Sequence, residues 1–147
     1  MYDYAAEIKF LEKVEEKNNK QNERTKLNES EIDKIKGKYE NIPDDYLDYL
    51  KFIGWGSFRE CHFMVFECPE KLSNIIGEVS ENDDINNAII FGDGFAGDLF
   101  GFDLTKEGKV IEFHHELEEI HETGKTFKEY IRKKMGMDNF GNDTWKK

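Results

Sequence analysis

Three groups of residues in this chain are of the types that carry chemistry. Asp93, Asp98 and Asp103 recur at five-residue intervals, and carboxylates are ordinary ligands of a hard cation. A calcium loop, however, takes oxygen ligands at alternate positions and closes on a glutamate, which this interval does not supply. His114, His115 and His121 stand among Glu112, Glu116 and Glu122 and raise the question of a transition metal. Adjacent residues on a strand face opposite ways, so His114 and His115 do not share an ion. Cys61 and His62 are also adjacent, which separates a thiol from its base, and no glycine-serine elbow or phosphate-binding loop occurs. The expectation is a protein with no metal, no cofactor and no catalytic residues, in which Asp93 caps a turn and Asp98, next to Gly97, bonds backbone amides.

The element that must position these groups runs from Ala88 to Leu104, AIIFGDGFAGDLFGFDL. Ala88 to Phe91 is a short apolar run, and Gly92 to Gly97 supplies a reversal in which Gly92, Asp93, Gly94, Gly97 and Asp98 are the structural turn residues. Asp98 to Leu104 resumes as a strand with Phe100, Phe102 and Leu104 on one face. A lone hairpin buries neither face, so other segments must cover it.

Those segments follow from periodicity. Tyr2 to about Lys17 reads as an amphipathic helix with Tyr4, Ile8, Phe10, Leu11 and Val14 inward. Asn18 to Asn28 reads as a solvated connection or a frayed helix end. Ser30 caps a helix to about Glu40, carrying Ile32, Ile35 and Tyr39. Pro43 opens the first turn of a third helix, with Tyr46, Leu47, Leu50 and Ile53 buried and Gly54 as its stop. Phe58 to Phe66 reads as one strand with Cys61, Phe63 and Val65 on one face, while Pro69 to Gly77 fits either a helical turn or a short strand. Lys109 to His115 is a further strand. Thr126 and Glu129 form a capping-box pattern for a last helix bearing Phe127, Tyr130, Ile131 and Met135, and Gly136 ends it. The tail, Met137 to Lys147, has no periodicity and is expected to be partly flexible.

The 147 residues suit one domain with one core, and with 14% of residues aromatic that core must be largely Phe and Tyr. Net charge is -11, and it is uneven: Glu67 to Glu122 holds 15 acidic residues and three lysines. Such a field excludes nucleic acid and anionic lipid as partners and attracts a basic surface. No signal peptide or membrane-length apolar run is present, and Cys61 and Cys68, at an odd separation, point to opposite faces, so a cytoplasmic, reduced protein is expected.

The order of features resembles the SUKH superfamily, which includes fungal cell-wall-assembly regulator domains and bacterial toxin-immunity proteins. Three blocks carry the resemblance: Ile42 to Gly56, IPDDYLDYLKFIGWG; Ala88 to Leu104; and Val110 to Ile131 with its closing T-F-x-E-Y helix. Together they span roughly residues 30 to 135. The resemblance implies an α+β domain, a mostly antiparallel sheet flanked by amino-terminal helices and a carboxy-terminal helix, with no chemistry in its core. It also implies a non-enzymatic immunity protein that binds and neutralises a cognate toxin; the alternative is an intracellular scaffold or regulatory protein-binding domain. A basic, nuclease-type toxin suits the acidic middle of the chain. If the family's binding surface is used, it combines an aromatic with a charged rim, and the candidates are Trp55, Glu81, Asp83, Asp84, Glu116, Glu118 and Glu119.

Overall fold

The structure is a computed structural model that describes residues 3–60, 63–76, 87–94, 98–105, 107–114, 116 and 119–145. At its centre are β4 (Ala88–Asp93) and β5 (Leu99–Asp103), antiparallel, with Ile89 opposite Phe102 and Asp93 opposite Leu99. The reversal starts two residues later than the spacing predicts, because Gly92 and Asp93 are strand residues. Close approach explains why glycine stands there. A Cβ on Gly92 would lie 2.3 Å from the Met64 carbonyl oxygen of the next strand, and one on Gly101 would lie 2.1 Å from that of Ile89. The Gly94 N–H donates to the Asp98 carbonyl at 3.4 Å across the reversal, while Gly97 lies outside the described residues.

Among the described residues the sheet around this pair is a meander of seven antiparallel strands in chain order. It is completed by β1 (Arg24–Thr25), β2 (Trp55–Phe58), β3 (Phe63–Lys71), β6 (Val110–His114) and β7 (Glu119–Glu122). One face packs on α1 (Ala5–Val14), α2 (Glu29–Lys38), α3 (Asp44–Phe52) and α5 (Phe127–Met135), and α4 (Leu72–Ile76) follows β3. Alternation divides the strand residues between two clusters. Phe63, Val65, Phe91, Phe100, Phe102 and Val110 join the helices in the main core, while Leu72, Ala88, Ile90, Ile111 and Phe113 form a second cluster. The main core is aromatic, as composition demands. Tyr46 has ring centroids 5.4 Å from Phe102 and 5.2 Å from Phe127, both edge-on.

Several segments depart from the periodicity reading. Phe58 to Phe66 is two strands, broken at Arg59 and Glu60 with φ of 48° and 57°. β3 then runs on through Pro69 to Lys71, with an irregular register between Val65 and Glu70 where proline cannot donate to the ladder. Asn18 to Asn28 is structured: Asn19 caps a 3₁₀ turn at Lys20–Asn22, Arg24 and Thr25 pair with Gly56 and Trp55, and Leu27 is buried. Asparagine side chains replace the missing apolar contacts, the Asn22 amide donating to the Glu16 carbonyl at 3.1 Å and to Glu60 Oε1 at 3.1 Å. Asn28 rather than Ser30 caps α2, through a full capping box with Glu31, and Pro43 is the N-cap of α3 rather than its first residue.

The tail is the largest departure. Met137 bridges Asp143, Asp143 pairs with Arg59 through two contacts of 2.8 and 2.9 Å, and the Arg59 guanidinium lies 3.9 Å from the Trp145 ring centroid. A bidentate pair between residues so distant in sequence leaves no periodic trace, which is why the tail reads as unstructured from sequence.

Candidate partner-binding surface

The β6–β7 pair gathers the titratable side chains that the sequence scatters. Its register sets Glu112 opposite His121 and His114 opposite Glu119, so these four residues share one face. The two imidazole rings lie 4.5 Å apart between centroids. Each is matched to a carboxylate: His114 Nε2 is 3.2 Å from Glu112 Oε1, and His121 Nε2 is 3.2 Å from Glu119 Oε2.

α5 closes the inner side of this cluster. Its start is fixed by the Thr126–Glu129 capping box that the sequence predicts, and this directs Tyr130 toward the sheet, where its hydroxyl donates to Glu112 Oε2. Lys134, one turn on, lies 5.3 Å from the Tyr130 ring centroid. Burial raises the Glu112 pKa, but the hydrogen bonds with Tyr130 and His114 and the charge of Lys134 outweigh it and hold the carboxyl below its ordinary range. Burial, together with the same Glu112 hydrogen bond, pushes the Tyr130 hydroxyl up. Glu112 is therefore a stable anion. The outer side is open, with Glu116, Glu119 and His121 all exposed, while Glu122, opposite Ile111, is exposed on the other face of the hairpin.

Another buried carboxylate joins the helices. Asp45 accepts from its own Tyr46 N–H at 3.0 Å and from the Lys128 N–H of α5 at 2.9 Å, while its backbone carbonyl accepts from the Tyr4 hydroxyl at 2.6 Å. Desolvation raises its pKa despite the backbone donors. This is a structural tie between α1, α3 and α5.

The sequence candidates do not converge on one patch. Trp55 is half-buried against the main core on β2, and β2 is separated from β7 by four intervening strands, about 24 Å across the sheet at ordinary strand spacing. Glu116 and Glu119 belong to the hairpin, whereas Glu81, Asp83, Asp84 and Glu118 lie outside the described residues. His115 and Cys61 also lie outside them; Cys68 is free and exposed. The His114–His121 contact and the Tyr130–Glu112 bond are what the sequence reading missed. The i, i+7 spacing of two histidines around a turn was the available signal, but it needs β7 to be recognised as a strand. Among the described residues no group of three His, Cys, Asp or Glu is placed to hold a metal ion. What the hairpin offers is a fixed array of negative charge and hydrogen-bond acceptors.

Comparison with known families assigns this architecture. The model of the SMI1/KNR4 family (SUKH-1) matches residues 26–133, which takes in α2, α3, all the strands after β1 and most of α5. The chain belongs to the SMI1/KNR4 family. No curated protein and no solved structure gives a significant match. The SUKH-1 match leaves out α1, β1 and the tail, and it includes the whole β6–β7 hairpin. SUKH domains include toxin-immunity proteins and often bind partner proteins. Among the described residues, no helix is long and apolar enough to cross a membrane.

Proposed function

We propose that this chain is a non-enzymatic bacterial immunity protein that binds and neutralises a cognate toxin bearing a basic, nuclease-type surface. The observation that carries this reading is the concentration of fixed negative charge on the β6–β7 hairpin, in a chain of the SUKH-1 family. Glu112 is held ionised from beneath by Tyr130, and Glu116 and Glu119 stand exposed on the same hairpin, with Glu122 exposed on its other face. A rim of this kind steers a cationic cleft into register and speeds encounter, while apolar contacts elsewhere set the lifetime of the complex. Glu81, Asp83, Asp84 and Glu118 are further candidates for contact with the toxin in this proposal, and Trp55 serves the core rather than the contact. The protein acts in the cytoplasm, where an incoming or home-made nuclease must be met.

Co-expression with the product of the adjacent gene tests the reading. Rescue of growth together with a stable purified complex is the expected result. Failure of both overturns it in favour of an intracellular scaffold or regulator.

A further inference from the structure

Lys9 and Lys13 lie one helical turn apart on α1 and face a cavity of about 440 Å³ whose opposite wall is the folded tail, including Phe140, with Arg132 of α5 between them. Arg132 is matched, its Nε 3.3 Å from Oε1 of the buried Glu7. Among the described residues neither Lys9 nor Lys13 has an ion pair. Two unmatched cations thus share a groove in a chain of net charge -11.

The apolar component is equally specific. Phe140 is 89% exposed, the most open of the large apolar side chains among the described residues, yet its backbone is firmly set. The Asp138 carboxylate accepts from the Phe140 and Asn142 N–H groups, each at 2.8 Å, and the Asp138 N–H donates to the Asn142 carbonyl at 3.0 Å. The Arg59–Asp143 pair anchors the far end of the loop. A phenylalanine presented on a tied turn has already lost much of the freedom that binding would otherwise remove. Of the groove's lining, only Arg132 falls within the family match at 26–133, so the groove is made mostly by elements outside that match.

We infer that this groove docks a short acidic segment of a partner protein, its carboxylates on Lys9 and Lys13 and an apolar side chain against Phe140. Charge complementarity selects the occupant. The shortness follows from the whole-molecule field: the charged residues that line the groove are Lys9, Lys13 and Arg132, but a polyanion longer than a Debye length of about 8 Å meets the chain's negative charge. The groove uses α1 and the tail rather than the β6–β7 hairpin, so it stands independently of the immunity reading and adds a second surface of opposite sign.

The test is fluorescence anisotropy of the full chain with a fluorescein-labelled peptide of glutamates flanking a single leucine, beside the same peptide with glutamine for glutamate. Binding of the glutamate peptide alone is expected, with Lys9→Glu/Lys13→Glu weakening it by about tenfold or more and Phe140→Ser also weakening it. Lys34→Glu on α2 should leave it unchanged. Circular dichroism checks that each variant is folded, and Lys9→Gln/Lys13→Gln serves if the reversed pair is not. Equal binding of the glutamine peptide overturns the inference, as does indifference to the lysine variants. It is also overturned by lysine-dependent capture on phosphatidylserine vesicles in place of peptide, or by a self-association in sedimentation that Phe140→Ser abolishes.

Discussion

Tyr130 and Glu112 are joined by a hydrogen bond from the phenol to the carboxylate, and this contact fixes α5 to the sheet directly beneath the exposed acidic hairpin. Removing the donor leaves a partly buried carboxylate short of a partner. Tyr130→Phe should therefore destabilise the fold by about 1–3 kcal/mol, and adding Glu112→Gln should cost less than the sum of the two single changes. Urea unfolding of the four proteins in the cycle measures this.

The same bond sets an acid dependence. Because the folded state holds the Glu112 pKa below its ordinary value, its contribution to stability is present above the unfolded pKa of about 4.3 and is lost as pH falls through the lower folded value. Asp45 acts in the opposite sense, since its folded pKa is raised, so acidification relieves a cost there. Glu112→Gln should flatten the fall in stability below about pH 4.3, read from unfolding midpoints between neutral and acid pH. An unchanged acid limb would contradict this.

Two glycines separate packing from propensity. Gly101→Ala drives a Cβ to 2.1 Å from the Ile89 carbonyl oxygen in the centre of the sheet, and should destabilise by about 3 kcal/mol. Gly37, inside α2 and with nothing within 4 Å of a new Cβ, should give the reverse: Gly37→Ala stabilises by about 0.5–1 kcal/mol. Thermal melts of both variants check the pair of signs.

Asp143→Ala should release the tail. Arg59 and Asp143 are only 11% and 12% exposed at their side chains, so removing the carboxylate leaves a largely desolvated guanidinium without its counter-charge and costs about 3 kcal/mol locally. Hydrogen exchange should speed up from Met137 to Thr144 while β4 and β5 stay protected.

These elements also mark what the sequence disclosed. The helix over α5, the third helix before Gly54 and the alternation of Phe100 and Phe102 were legible because caps, breakers and side-chain period are local. The strand at Arg24–Thr25, the approach of β3 to Gly92 and the folded tail were not, because each is decided by a partner far along the chain: Gly56, Met64 and Arg59 respectively. The candidate surface divides in the same way. Exposed glutamates were readable from charge alone, whereas the meeting of His114 with His121 depends on pairing β7, a strand whose mix of charged residues hides its period.

Steering of a basic partner by the acidic hairpin acts first on the association rate. Stopped-flow measurements should follow binding of the adjacent gene's product by the native chain and by Glu116→Lys/Glu119→Lys across a range of salt. The account predicts a rate about tenfold lower for the variant at low ionic strength, with the two rates converging as salt screens the rim. Equal rates at every salt concentration, with both proteins folded, would contradict it.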